Sequence, residues 1–126
     1  MNNYFLYPHQ FELESGLVLH DLQIAYSLYG NLEAEKTIWV CHALSGNSNV
    51  MDWWAGLFGP STLFNPNEYR IICANVIGSC YGSTGPSDSS DPLNFPTITI
   101  KDIVNAHVLL REHFGIDKID ILIGAS

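Results

Sequence analysis

Basic side chains are scarce in this sequence: five lysines and arginines stand against thirteen aspartates and glutamates, a formal net charge of −8. Nucleic-acid binding needs a positive footprint to displace counterions, and this composition has none. Anionic membrane surfaces are disfavoured on the same ground. Cysteine is also sparse. Cys41, Cys73 and Cys80 are odd in number and lack a Cys-x-x-Cys spacing, which argues against a disulfide framework and against a zinc knuckle. No apolar run approaches membrane-spanning length. Met1-Asn2-Asn3-Tyr4 opens without the basic segment and apolar stretch of a secretory signal. The expectation is a reduced, cytoplasmic protein with neither a nucleic-acid nor a membrane partner. What the chain has in quantity is apolar residues, 47% of 126, enough for the core of one domain.

The first 35 residues read as an antiparallel lead-in. Phe11 to Glu14 alternates, Ser15-Gly16 turns, and Leu17 to Leu19 begins another strand. Leu22 to Tyr29 alternates again and closes on Gly30-Asn31; half-buried strands of this kind suit a sheet edge. The pattern then changes. Ile38 to Cys41, Tyr69 to Ala74 and Ile119 to Ile123 are short apolar runs, the habit of parallel strands buried on both faces. Between the second and third run, Thr99 and Asp102 have capping-box spacing. Ile100, Ile103, Val104 and Val108 mark one helical face, and Gly115 is a natural stop. Met51 to Phe58 is a shorter helix candidate ended by Gly59-Pro60. Strand, small-residue loop, helix, strand is the grammar of an α/β fold with a parallel sheet and crossover helices.

Ligands of open α/β sheets bind beyond the carboxyl ends of the strands. Three small-residue loops lie there: His42 to Asn49, Asn75 to Pro86, and Gly124 to Ser126. Gly124-Ala125-Ser126 after an apolar strand is the first half of Gly-x-Ser-x-Gly, a strand-to-helix turn that presents a serine oxygen to a site. A serine hydroxyl also needs an oxyanion site, and Ala43-Leu44-Ser45-Gly46 stands where the backbone N–H of Leu44 would supply a donor. The order Ser, then Asp or Glu, then His places the catalytic histidine after the nucleophile. All five histidines (His9, His20, His42, His107 and His113) precede Ser126. His42 is read as shaping the oxyanion loop, His107 as a packed residue and His113 as a helix-terminus residue. Cys41 and Cys73 read as small apolar packers, and Cys80 lacks the context of a cysteine hydrolase. The loop from Gly78 to Gly85 matches neither the P-loop nor the dinucleotide fingerprint.

Three segments carry a family resemblance: Cys41-His42-Ala43-Leu44-Ser45-Gly46, the run from Asn75 through Cys80-Tyr81-Gly82-Ser83-Thr84-Gly85-Pro86-Ser87, and Phe95 to Asp102. In order and content they resemble homoserine O-acetyltransferase, a family of the α/β-hydrolase superfamily. The likeness runs from about Tyr26 to Ser126. It departs where Ser45 replaces the usual threonine and where Gly124-Ala125-Ser126 replaces the usual Gly-Gly-Ser.

The resemblance implies the amino-terminal half of an α/β-hydrolase fold, residues 1–126 forming a partial core domain that ends at the nucleophile elbow, with the lid and remaining core absent. It implies transfer of acetyl from acetyl-CoA to the hydroxyl of L-homoserine through a serine acyl-enzyme, a step of methionine biosynthesis. Ser126 would be the nucleophile and Leu44 the backbone oxyanion donor, and the loop from Asn75 to Pro86 a wall of the pocket. No metal or resident cofactor is implied, acetyl-CoA being a substrate, and the full-length enzyme would be a homodimer. The isolated 126 residues are expected to be inactive. Succinyl transfer, a serine acceptor, an esterase on the same fold, and a non-catalytic split chain needing a partner are the alternatives.

Overall fold

The computed structural model describes residues 3–126. Seven strands and two α-helices run in the order β1 (Asn3–Leu6), β2 (Phe11–Glu12), β3 (Val18–Leu19), β4 (Gln23–Gly30), β5 (Lys36–Cys41), α1 (Val50–Trp53), β6 (Tyr69–Ala74), α2 (Ile100–His113) and β7 (Ile121–Gly124). Five strands hydrogen-bond in the order β1-β4-β6-β5-β7, while β2 and β3 form a separate antiparallel pair. The chain divides into two compact units, and β4 contributes to both.

The first unit holds Tyr26–Ala74 and Asp117–Ser126. Here β4 runs antiparallel to β6, and β5 lies parallel to both β6 and β7. Parallel pairing of the apolar runs follows from their composition: Ile38, Val40, Ile71 and Cys73 are fully buried in one cluster with Val50, Phe58 and Phe64. Each such aliphatic side chain contributes about 1.5–3 kcal/mol by leaving water. The start of β7 is bolted to the start of β5. Thr37 N–H donates to the Asp120 carboxylate at 2.8 Å, Asp120 N–H returns a bond to the Thr37 carbonyl at 3.0 Å, and Arg70 donates to the Thr37 hydroxyl.

Three expectations change. β4 is internal rather than an edge, with β1 and β6 on either side, and Ile24 to Ser27 are buried. β7 is less enclosed than its composition suggests. Ile121 and Ile123 pack on the cluster, whereas Leu122 on the opposite face is 68% exposed. The helix foreseen from Met51 to Phe58 is a single turn. Trp53 and Trp54 stack on each other, with ring centroids 5.2 Å apart, and both pack on the cluster. Consecutive helical residues point about 100° apart, and the chain leaves the helix after Trp53.

The second unit holds Tyr4–Ala25 and Asn75–Ile116. The glycine-rich loop is fixed from within: the buried Ser83 hydroxyl donates to the Asn75 carbonyl and accepts the Ala25 N–H. Gly78 and Gly82 take positive φ angles of 87° and 101° that only glycine adopts without strain. Helix α2 starts as foreseen. Thr99 accepts the Asp102 N–H, and Asp102 accepts the Thr99 N–H. Its buried face, however, is Asp102, Ala106 and Leu110, while Ile100, Val104 and Val108 are exposed. The cap decides this. The Asp102 carboxylate also accepts the Glu14 N–H at 2.9 Å, which turns Asp102 inward, and residues two positions away lie about 200° around the helix.

That carboxylate sets a pH dependence. Burial alone would raise the Asp102 pKa, but the bonds from Thr99 and Glu14 outweigh it, so the net direction is down. Asp120 is lowered as well, first by the Thr37 amide. Groups with folded pKa below the unfolded value of about 3.9 stabilise the fold above that pH, and the contribution is lost as pH falls through the folded pKa. Asp102→Asn is therefore expected to lower stability at pH 7 by about 1 kcal/mol, read as a lower urea midpoint, because a neutral amide oxygen accepts the Thr99 and Glu14 N–H groups less strongly than a carboxylate. The deficit shrinks toward pH 3; an equal deficit at both pH values would contradict this assignment.

Candidate active site

The site candidates, Leu44 and Ser126, both belong to the first unit, on loops leaving the carboxyl ends of neighbouring parallel strands. Cys41 is opposite Gly124 in the β5–β7 register, and the Ala125 N–H donates to the Cys41 carbonyl at 3.3 Å. Ser126 follows at the next position with its side chain exposed, and Leu44 lies three residues beyond Cys41. The two loops thus leave the sheet side by side.

The loop after β5 presents an amide rather than a side chain. Ala43 to Gly46 form a β-turn closed by the Gly46 N–H donating to the Ala43 carbonyl at 2.8 Å. His42 Nδ1 donates to the same oxygen at 2.8 Å. That carbonyl belongs to the peptide unit whose N–H is Leu44's. In a planar trans peptide the two point in opposite directions, so pinning the oxygen twice fixes where the Leu44 N–H points. Among the described residues that N–H has no protein acceptor, and the Leu44 side chain is 102% exposed. The shaping role assigned to His42 has this geometry behind it. A side chain at position 46 would bring its Cβ within 3.1 Å of the Ala43 oxygen, so glycine keeps the turn tight.

The remaining histidines lie in the second unit. The His113 ring packs at 4.5 Å on Phe5, and His9 meets Tyr7 edge-on at 5.4 Å. Of the cysteines, Cys73 is buried, with its thiol pushed up to about 12 by burial and, to a lesser degree, by Cys41. Cys41 is exposed at the end of β5 rather than packed as expected, yet partial burial raises its thiol as well. Both stay protonated at neutral pH, which makes them poor nucleophiles. Cys80 is exposed.

Sequence reasoning passed over the residues that hold the site loop. The Ser27 and Ser48 hydroxyls meet at 2.8 Å in the interior. The Tyr29 hydroxyl donates to Asn49 Oδ1 at 2.9 Å, and Trp53 Nε1 donates to the Asn47 carbonyl at 3.0 Å. The one sequence signal was a serine inside the apolar run of β4, the mark of a polar group that needs a buried partner.

A family model described as the α/β hydrolase fold matches residues 36–126, and the chain belongs to that family. Within it, the sequence is 50% identical over 124 residues to a homoserine O-acetyltransferase of Chlorobaculum parvum, covering 92% of this chain and 35% of that protein. The homoserine O-acetyltransferase structure from Staphylococcus aureus superposes with a TM-score of 0.86 at 32% identity, over 100% of this chain and 39% of that one. An acetylester hydrolase from Corynebacterium glutamicum gives 0.84 at 29% identity, over 100% and 37%. The chain spans about a third of the length of the curated relatives it matches. Among the described residues no helix is long and apolar enough to cross a membrane.

Proposed function

We propose that this chain is the nucleophile-bearing portion of a serine acyltransferase that moves acetyl from acetyl-CoA to the hydroxyl of L-homoserine, a step toward methionine. Ser126 Oγ attacks the thioester carbonyl, and the oxyanion that forms is met by the Leu44 N–H. Coenzyme A leaves as its thiol, and the serine ester then passes its acetyl group to the homoserine hydroxyl. The supporting observation is the Ala125-to-Cys41 bond, which sets the serine's turn beside the loop whose amide is held outward. In this reading the base and its acidic partner come from outside residues 1–126, the chain alone does not turn over acetyl-CoA, and the complete enzyme is a cytoplasmic homodimer.

The test is a chimera in which this chain replaces the matching segment of the Chlorobaculum parvum enzyme. Formation of O-acetylhomoserine supports the reading. The likeness to an acetylester hydrolase favours a second reading, hydrolysis on the same fold. A chimera that releases acetate from acetyl-CoA without acetylating homoserine would select it, because a transferase must keep water from the acyl-enzyme.

A further inference from the structure

Downstream of its turn, the loop that carries the Leu44 amide is held by side chains of the fold. Three consecutive residues, Asn47, Ser48 and Asn49, are each gripped by a different side chain. Trp53 from α1 holds the Asn47 carbonyl, Ser27 from β4 meets the Ser48 hydroxyl, and Tyr29, two positions along β4, holds Asn49 Oδ1. Tyr29 also reaches the Ser48 carbonyl at 3.3 Å. The Ser27–Ser48 pair is almost wholly buried, at 4% and 1% exposure. A buried hydroxyl without its partner is costly, so the pair resists sliding. Ala43 to Gly46 are held by the two hydrogen bonds to the Ala43 carbonyl, and among the described residues they make no hydrogen bond to the three gripping side chains.

We propose that Ser27, Tyr29 and Trp53 act together as positioning residues for the oxyanion donor: they set the height and tilt of the turn above β5, and so the place of the Leu44 N–H relative to the Ser126 oxygen. This inference rests on the acyl-transfer reading. An oxyanion donor acts through its placement at the developing charge, and misplacement on the order of 1 Å costs rate rather than ground-state affinity. The Tyr29 hydroxyl sits at the end of a ring that packs on the apolar cluster and can be removed with the ring kept, whereas Trp53→Phe removes the indole N–H together with one of its two fused rings, so its thermal stability is read beside its kcat.

The experiment compares Tyr29→Phe, Trp53→Phe and the double variant in the chimera, with Tyr69→Phe as the control. Tyr69 packs on the same cluster and loses the same oxygen, but among the described residues its hydroxyl makes no hydrogen bond to the loop. Tyr29→Phe and Trp53→Phe are each expected to lower kcat about tenfold with KM for acetyl-CoA unchanged. The double variant should lose less than the product of the two, since the grips share one loop. Tyr69→Phe should keep its kcat. Variants that lose thermal stability with kcat intact, or a Tyr69→Phe that loses as much kcat as Tyr29→Phe, overturn the positioning role and leave the acyl-transfer reading standing. A wild-type chimera that transfers no acetyl group overturns both.

Discussion

Ser126→Ala in the chimera should abolish acetyl transfer, with kcat lower by about 10⁴–10⁶-fold, the scale seen when an activated serine is removed from a hydrolase-type site. The fold should not notice. Ser126 follows Ala125, whose backbone bond to Cys41 does not depend on the next side chain. Circular dichroism and the urea midpoint are therefore expected to match wild type. Loss of activity with loss of structure would assign Ser126 to packing. A variant that keeps even a tenth of wild-type transfer would remove it from the chemistry.

Leu44 separates a backbone role from a side-chain role. Leu44→Pro should lower kcat about 10²–10³-fold, the usual cost of one oxyanion donor, because proline has no N–H. Leu44 is the second residue of the turn from Ala43 to Gly46, the place proline prefers, and no residue of that turn has a positive φ. Leu44→Ala should retain nearly full activity, since the side chain it shortens is wholly in solvent. Equal losses in the two variants would mean that the leucine side chain, not its amide, serves the site.

The sheet was legible in the sequence wherever composition and direction agree. Ile38 to Cys41, Tyr69 to Ala74 and Ile119 to Ile123 are apolar runs that became parallel strands, and the three loops that follow them were visible as runs of small residues. The capping box of α2 was legible residue by residue, but its buried face was not. Apolar spacing marked Ile100, Val104 and Val108, whereas a tertiary bond from Glu14 to the Asp102 carboxylate turned the opposite stripe inward. Local pattern carries no record of a partner 88 positions away. The extent of α1 was not legible either, the chain leaving the helix after Trp53. At the site, Gly124-Ala125-Ser126 and Ala43-Leu44-Ser45-Gly46 could be picked out because turn chemistry is local. The grips from Ser27, Tyr29 and Trp53 could not, since they depend on which strand lies beside which.

The central claim is that Ser126 carries the acyl group. The direct measurement is mass spectrometry of the chimera after mixing with acetyl-CoA in the absence of homoserine, followed by peptide mapping. The account predicts one acetyl group per chain, on Ser126, discharged as O-acetylhomoserine when homoserine is added. An acetyl group on any other residue, Cys41 beside it included, or product formation with Ser126 never acetylated, would contradict it.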